Sequence, residues 1–195
     1  LMYDIDAVNI FSFHRFLLTQ TKMRLARYKR AISETVRPGD VVLDLGCGTG
    51  VLAFLACQAG ARKVYAIEQG AVVELAKLIC QKNGFADRVE FLHGASNSID
   101  LPERADVLLT DTFGTFGLQP GGLATIIDAR ERLLKKGGAI IPQTLELFIA
   151  PVEAGEFYHS VEDAWMADVH GLDFSSARPF AMNNCYAGKL EQGDF

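Results

Sequence analysis

Cysteine is scarce in this chain and shows no pairing. The 195 residues hold four, Cys47, Cys57, Cys80 and Cys185, with no C-x-x-C and no metal-ligand spacing. That excludes a disulfide scaffold and a zinc-ribbon type of site, and it leaves reduced packing residues; Cys47 alone is expected to face a ligand, through its backbone. No run approaches the roughly 18 uninterrupted apolar residues of a membrane span, and no signal-peptide pattern precedes the first strand. The expectation is a cytoplasmic protein without a membrane partner. Positive charge is also short, with 19 Lys and Arg against 24 Asp and Glu and a net charge of −5. This argues against nucleic acid as a partner. The one basic stretch, from His14 to Arg30, carries Arg15, Lys22, Arg24, Arg27, Lys29 and Arg30, and its plain reading is a solvated helix face. Repeats, low-complexity tracts and the G-x-G-x-x-G of dinucleotide oxidoreductases are all missing.

What is present is VVLDLGCGTG at 41–50 and, after it, KVYAIE ending on Glu68. An apolar run that opens into glycines reads as a buried parallel strand turning into a helix. Gly46, Gly48 and Gly50 let the backbone turn and approach a ligand closely. An acid about 20 residues on, at the tip of the next strand, is placed to accept hydrogen bonds from ribose hydroxyls. Asp44, two residues before the first glycine, separates this pattern from a diphosphate grip. A carboxylate there repels a pyrophosphate, whereas it suits the cationic ammonium and sulfonium of S-adenosylmethionine. The competing reading makes Asp44 only a cap for the helix that follows.

The rest of the chain keeps the same rhythm. Helical periodicity from about Phe11 to Val36 stops at Pro38-Gly39. Strands are expected at 41–45, 63–68, 89–92, 106–110 and 139–141, with helices at about 51–59, 71–83 and 123–134 and a turn at 135–138. The fold class expected is α/β, a Rossmann-like doubly wound and mostly parallel sheet whose ligand crevice lies at the carboxyl ends of the strands. Asp44 to Gly50, Glu68, Gly94 to Ser96 and Asp111 all fall at that edge. Past Pro142 the alternation ends, and Thr144 to Val152 reads as a longer strand. Three domains follow: N-terminal helices at 1–36, the nucleoside-binding domain at 37–142, and the beginning of a β-rich unit at 143–195, incomplete in this chain.

From about Tyr3 to Asp173 the chain resembles the class I S-adenosylmethionine-dependent methyltransferases, and within them the protein arginine methyltransferases. The stretches that carry it are VVLDLGCGTGVLAFLACQAGARKVYAIE, AKLICQKNGFADRVEFLHG and ARERLLKKGGAIIP, together with RLARYKRAI in the N-terminal helix. The resemblance implies a cofactor-lid helix with Arg24 on the cofactor's carboxylate and His14 near it, about one residue out of register. It also implies Asp44 and Gly46, Cys47, Gly48 and Gly50 around the aminocarboxyl and adenosine parts, Glu68 and Gln69 at the ribose, and Gly94, Ala95 and Ser96 around the adenine. Asn97 stands where the family has a glutamate. S-adenosyl-L-methionine would be the cofactor and S-adenosyl-L-homocysteine the product. A homodimer, formed through an arm inserted in a β-barrel, is the family's usual assembly.

One departure matters. Arginine methyltransferases clamp the substrate guanidinium between two glutamates in the loop after strand four; here that segment is TDTFGTFGLQPGG, with Asp111 at the first position and Pro120 at the second. A guanidinium is best met by a bidentate fork of carboxylates, and neither Pro120 nor Gln119 supplies a charge. Asp111 is therefore the catalytic candidate, orienting a nitrogen nucleophile, with Phe113 and Phe116 as apolar walls or as simple packing. Three readings of the acceptor stay open: protein arginine, another protein side chain or a small metabolite, and none at all in a non-catalytic cofactor-binding relative.

Overall fold

The computed structural model describes residues 22–113, 121–153, 155–184 and 186. Two compact units divide the chain at Glu146 and Leu147. In the first, α1 (Lys22–Thr35) precedes β1 (Val41–Leu45), α2 (Val51–Ala59), β2 (Lys63–Glu68), α3 (Val73–Lys82), β3 (Val89–His93), β4 (Ala105–Thr110), α4 (Gly122–Arg132) and β5 (Leu134–Ile141). The strands form one sheet in the order β3-β2-β1-β4-β5, every pairing parallel. The order reverses at β1, so the switch point, where a doubly wound sheet opens its crevice, lies between the carboxyl ends of β1 and β4.

Side chains alternate across the pleat, and this divides the core into two layers. Val42, Val64, Ala66, Val107 and Leu109 pack with Ile32 of α1, with Leu52, Ala53 and Ala56 of α2 and with Cys80 of α3. Val41, Leu43, Leu45, Tyr65, Ile67 and Leu108 pack on the other face with Ala129 of α4, Leu133 and Leu134. β1 is buried along its whole length, as a central parallel strand must be when helices cover both faces. Cys47, Cys57 and Cys80 are free and buried, and burial pushes the Cys57 thiol up to about 11.

The fifth strand differs from its expectation. The expected turn at 135–138 lies inside β5, which begins at Leu134. Its ladder with β4 shifts register between Ala105 and Val107, and Gly137 takes φ 80°. Lys-Lys-Gly-Gly reads as a turn by composition, but a bulge accommodates the same residues without ending the strand.

The second unit corrects the expectation of a strand over Thr144 to Val152. No regular secondary structure is assigned at 143–153, and Phe148 and Ile149 are largely exposed. A strand is defined by its ladder, and β-type composition alone does not supply a partner. The unit's described residues are mainly helical instead, with α5 (Gly155–Met166) and α6 (Arg178–Met182). Arg178 bonds Glu162 from α6 to α5 at 2.5 Å, and Phe157 meets Tyr186 edge-on. Among the described residues no helix is long and apolar enough to cross a membrane.

Candidate functional site

A cavity of about 510 Å³ opens at the carboxyl edge of the sheet, lined by Leu45, Gly46, Ile67, Glu68, Gln69, Gly94 to Asn97, Thr112, Gly121, Gly122 and Thr125. Four strand ends and the start of α4 thus converge on it. Glu68 is the last residue of β2, with its carboxylate braced at both oxygens: Oε2 accepts the Gly48 amide at 2.9 Å and Oε1 the Gly70 amide at 2.7 Å. Each carboxylate oxygen has two lone pairs, so this bracing leaves acceptor capacity toward the cavity. Gln69 is held at its carbonyl, 3.2 Å from His93 Nε2.

The glycine loop spends most of its amides on β2. Gly46 and Cys47 both donate to the Ile67 carbonyl at 2.9 Å, and Gly50 donates to the Cys47 carbonyl at 2.8 Å. Of the four loop residues named from sequence, only Gly46 lines the cavity. Cys47, expected to face a ligand through its backbone, does not line this cavity, and its N–H serves Ile67. Gly46 is also the tightest point. With φ 73°, a Cβ there would run into the Thr112 methyl group, so the exits of β1 and β4 touch across this glycine.

Asp44 does not line the cavity either. It pairs with Ala66 on one side and Leu109 on the other, one residue short of the strand tip. The pleat turns it toward α2, where Oδ2 accepts the Ala53 amide at 2.9 Å in that helix's first turn. Only 1% of Asp44 is exposed. Burial, reinforced by the negative charges of Glu68 and Asp111 and opposed by the Ala53 hydrogen bond, pushes its carboxyl up to about 7. Asp44 thus ties down the α2 N-terminus, as the cap reading has it, and burial there disfavours its charged form.

The exit of β4 separates this cavity from a second one. Thr112 lines the first cavity, while Phe113 lines a groove of about 1120 Å³ with Arg24, Arg27 and Tyr28 of α1 and residues 137–145. Between them Asp111, 16% exposed at its side chain, forms an ion pair with Arg24. The Tyr28 hydroxyl lies 2.9 Å from the Thr110 carbonyl and 3.0 Å from Asp111 Oδ1. Burial and the Asp111 charge raise the Tyr28 phenol well above its ordinary value, so it stays a donor. Arg24, named from sequence as the partner of a ligand carboxylate, thus holds a carboxylate of the chain itself. His14, Phe116, Gln119 and Pro120 lie outside the described residues.

Sequence reasoning missed Thr112, Gly121, Gly122 and Thr125 on the cavity wall, and Tyr28 beside Asp111. Gly121-Gly122 before an apolar-periodic helix was a legible signal. Thr112 and Tyr28 had none, since their partners come from other elements.

The family profile described as "Methyltransferase domain" matches residues 37–172. The chain is 37% identical over 162 residues to protein arginine N-methyltransferase 2 of Dictyostelium discoideum, covering 82% of this chain and 31% of that protein. To protein arginine N-methyltransferase 6 of Xenopus laevis it is 36% identical over 182 residues, covering 91% and 53%. The chain therefore spans between about a third and a half of the length of these two curated relatives. Among solved structures, the Trypanosoma brucei PRMT1 enzyme-prozyme heterotetrameric complex with AdoHcy superposes with a TM-score of 0.83 at 27% identity, covering 94% of this chain and 58% of that one. Arabidopsis thaliana protein arginine methyltransferase 10 does so with a TM-score of 0.70 at 29% identity, covering 87% and 53%.

Proposed function

This chain belongs to the methyltransferase-domain family and within it resembles the protein arginine methyltransferases, and from that premise we propose that it transfers a methyl group from S-adenosylmethionine to a nitrogen nucleophile of a protein. The observation that carries the reading is electrostatic. Glu68 and Asp111 both act on Asp44, and both push its carboxyl toward the neutral form. Glu68 on the cavity wall, with Asp44 buried behind the glycine loop, disfavours a diphosphate and suits a ligand that carries hydroxyls and a cationic centre. The neighbour bound to AdoHcy and the arginine-methyltransferase names of the curated relatives support the same cofactor and product.

The bound cofactor would supply an electrophilic methyl on sulfur, which the acceptor nitrogen takes in line while the C–S bond electrons stay with sulfur as a neutral thioether. The protein's part is placement. Glu68 would take the ribose hydroxyls on the lone pairs its amide bonds leave free, and Gly94 to Ser96 the base. Gly46 keeps the exits of β1 and β4 close on the cavity wall, since any side chain there meets Thr112. Asp111 would orient the acceptor nitrogen, stabilise the positive charge growing on it and draw off its proton. For that, Arg24 must exchange Asp111 for the cofactor's carboxylate, the partner the family resemblance gives it.

The acceptor is tested by incubating the protein with methyl-labelled S-adenosylmethionine and a cell extract, then hydrolysing the labelled protein. Label on protein arginine is the expected result. Label confined to small metabolites contradicts the acceptor, and no label at all contradicts the activity.

A further inference from the structure

Arg132 is the last residue of α4, and its bonding is saturated. Nε and Nη2 form a fork on Asp128, one turn back, at 3.2 and 2.9 Å. Nη2 also donates to the Ser96 carbonyl at 2.6 Å, and Nη1 to the Ile99 carbonyl at 2.6 Å and to Asp100 at 2.9 Å. A guanidinium has five N–H donors in a fixed plane, and all five have acceptors here.

Two of those acceptors are backbone carbonyls of the segment that follows β3. Residues 94–97 line the cavity, and a short 3₁₀ turn runs from Ser96 to Ser98. Ser96 is 8% exposed. The opposite wall, Gly121, Gly122 and Thr125, belongs to the start of the helix that Arg132 ends. One guanidinium plane thus ties the two walls together, bonding both ends of the turn and the helix at once. Asp128 fixes the plane, and charge-assisted bonds of this kind are shorter and stiffer than neutral ones. Lysine, with three donors on a point charge, cannot reproduce the set.

We propose that Arg132 is a positioning residue that fixes the cavity wall at 94–97 and thereby sets the selectivity of the site for an adenine base. The proposal rests on reading the cavity as an adenosyl site. Arg132 does not itself line the cavity; it acts through the carbonyls of Ser96 and Ile99, which orient the amides and side chains the base meets. Pairing with Asp128 and Asp100 holds the guanidinium above its ordinary pKa, so the clamp is always charged.

The test compares binding of S-adenosylhomocysteine and S-inosylhomocysteine, which differ only at the base, by titration calorimetry on wild type, Arg132→Met and Arg132→Lys. Arg104→Met is the control. Arg104 makes a comparable clamp, on the carbonyls of Glu131 and Leu134, at the opposite end of β4. The expected result is a wild type that prefers the adenine ligand and an Arg132→Met protein bound about tenfold more weakly, with most of that preference lost. Arg132→Lys, the milder change, should fall between them, while Arg104→Met lowers thermal stability without altering the preference. Lower stability with unchanged affinity and preference in both Arg132 variants overturns the proposal and leaves a structural brace. Failure of the wild type to bind either ligand overturns the adenosyl reading itself.

Discussion

Around the tip of β2 the chain satisfies its carboxylate with its own backbone, whereas past the tip of β4 it does so with side chains from a distant helix. Glu68 takes the amides of Gly48 and Gly70, groups that cannot leave without unfolding the loop. Asp111 takes the guanidinium of Arg24, 43% exposed, and sits beside the Tyr28 hydroxyl. Backbone bracing makes a rigid, preformed recognition group; side-chain bracing can be exchanged for a ligand at the cost of a rotamer. On the proposed reading the cofactor half of the crevice is rigid and the acceptor half adjustable, the half in which the resemblance puts Pro120 at the family's second glutamate position.

The largest effect that would break this comparison is at Glu68. Glu68→Ala removes the proposed ribose acceptor and orphans two loop amides, so affinity for S-adenosylhomocysteine should fall at least about 30-fold, equivalent to roughly 2 kcal/mol. Calorimetry showing an unchanged affinity would place the rigid half elsewhere. A smaller effect probes where the halves touch. Gly46→Ala sets a Cβ against the Thr112 methyl group at a φ that side chains avoid, and should cost about 1–3 kcal/mol in denaturant unfolding. Thr112→Ser deletes that methyl and should recover part of the loss. Additive effects of the two changes would mean that the exits of β1 and β4 do not press on each other.

The sheet was legible because buried parallel strands, glycine turns and helix stops leave strong local patterns, and four of the five strands begin and end within about one residue of expectation. β5 was misjudged at its start, since a bulge built of Lys-Lys-Gly-Gly has the composition of a turn. Thr144 to Val152 has strand composition without a ladder. Glu68 and Gly94 to Ser96 could be put at the crevice edge from sequence because they end or follow strands. The direction of Asp44 could not, because the pleat decides whether a residue one step from the tip faces the crevice or the α2 layer. Arg132 left no sequence signal at all, since its backbone acceptors are 33 and 36 positions away.

On the proposed reading the buried Asp44 carboxylate, one residue short of the β1 tip and turned toward α2, favours a cationic methyl donor through its charge rather than by contact. Asp44 is held up at about 7 by burial and two neighbouring acids. In the free protein its protonated form is favoured, so stability falls as pH rises from the ordinary carboxylate value to about 7. A cation restores the charged form, so binding releases a proton and tightens with pH before levelling off. The most direct measurement is calorimetric titration of S-adenosylmethionine from about pH 5.5 to about pH 7.5 in buffers of different ionisation enthalpy. The account predicts proton release and an affinity that rises up to about tenfold per pH unit below about 7, both lost in Asp44→Asn. Affinity independent of pH in the wild type, or the same pH slope in Asp44→Asn, would contradict it.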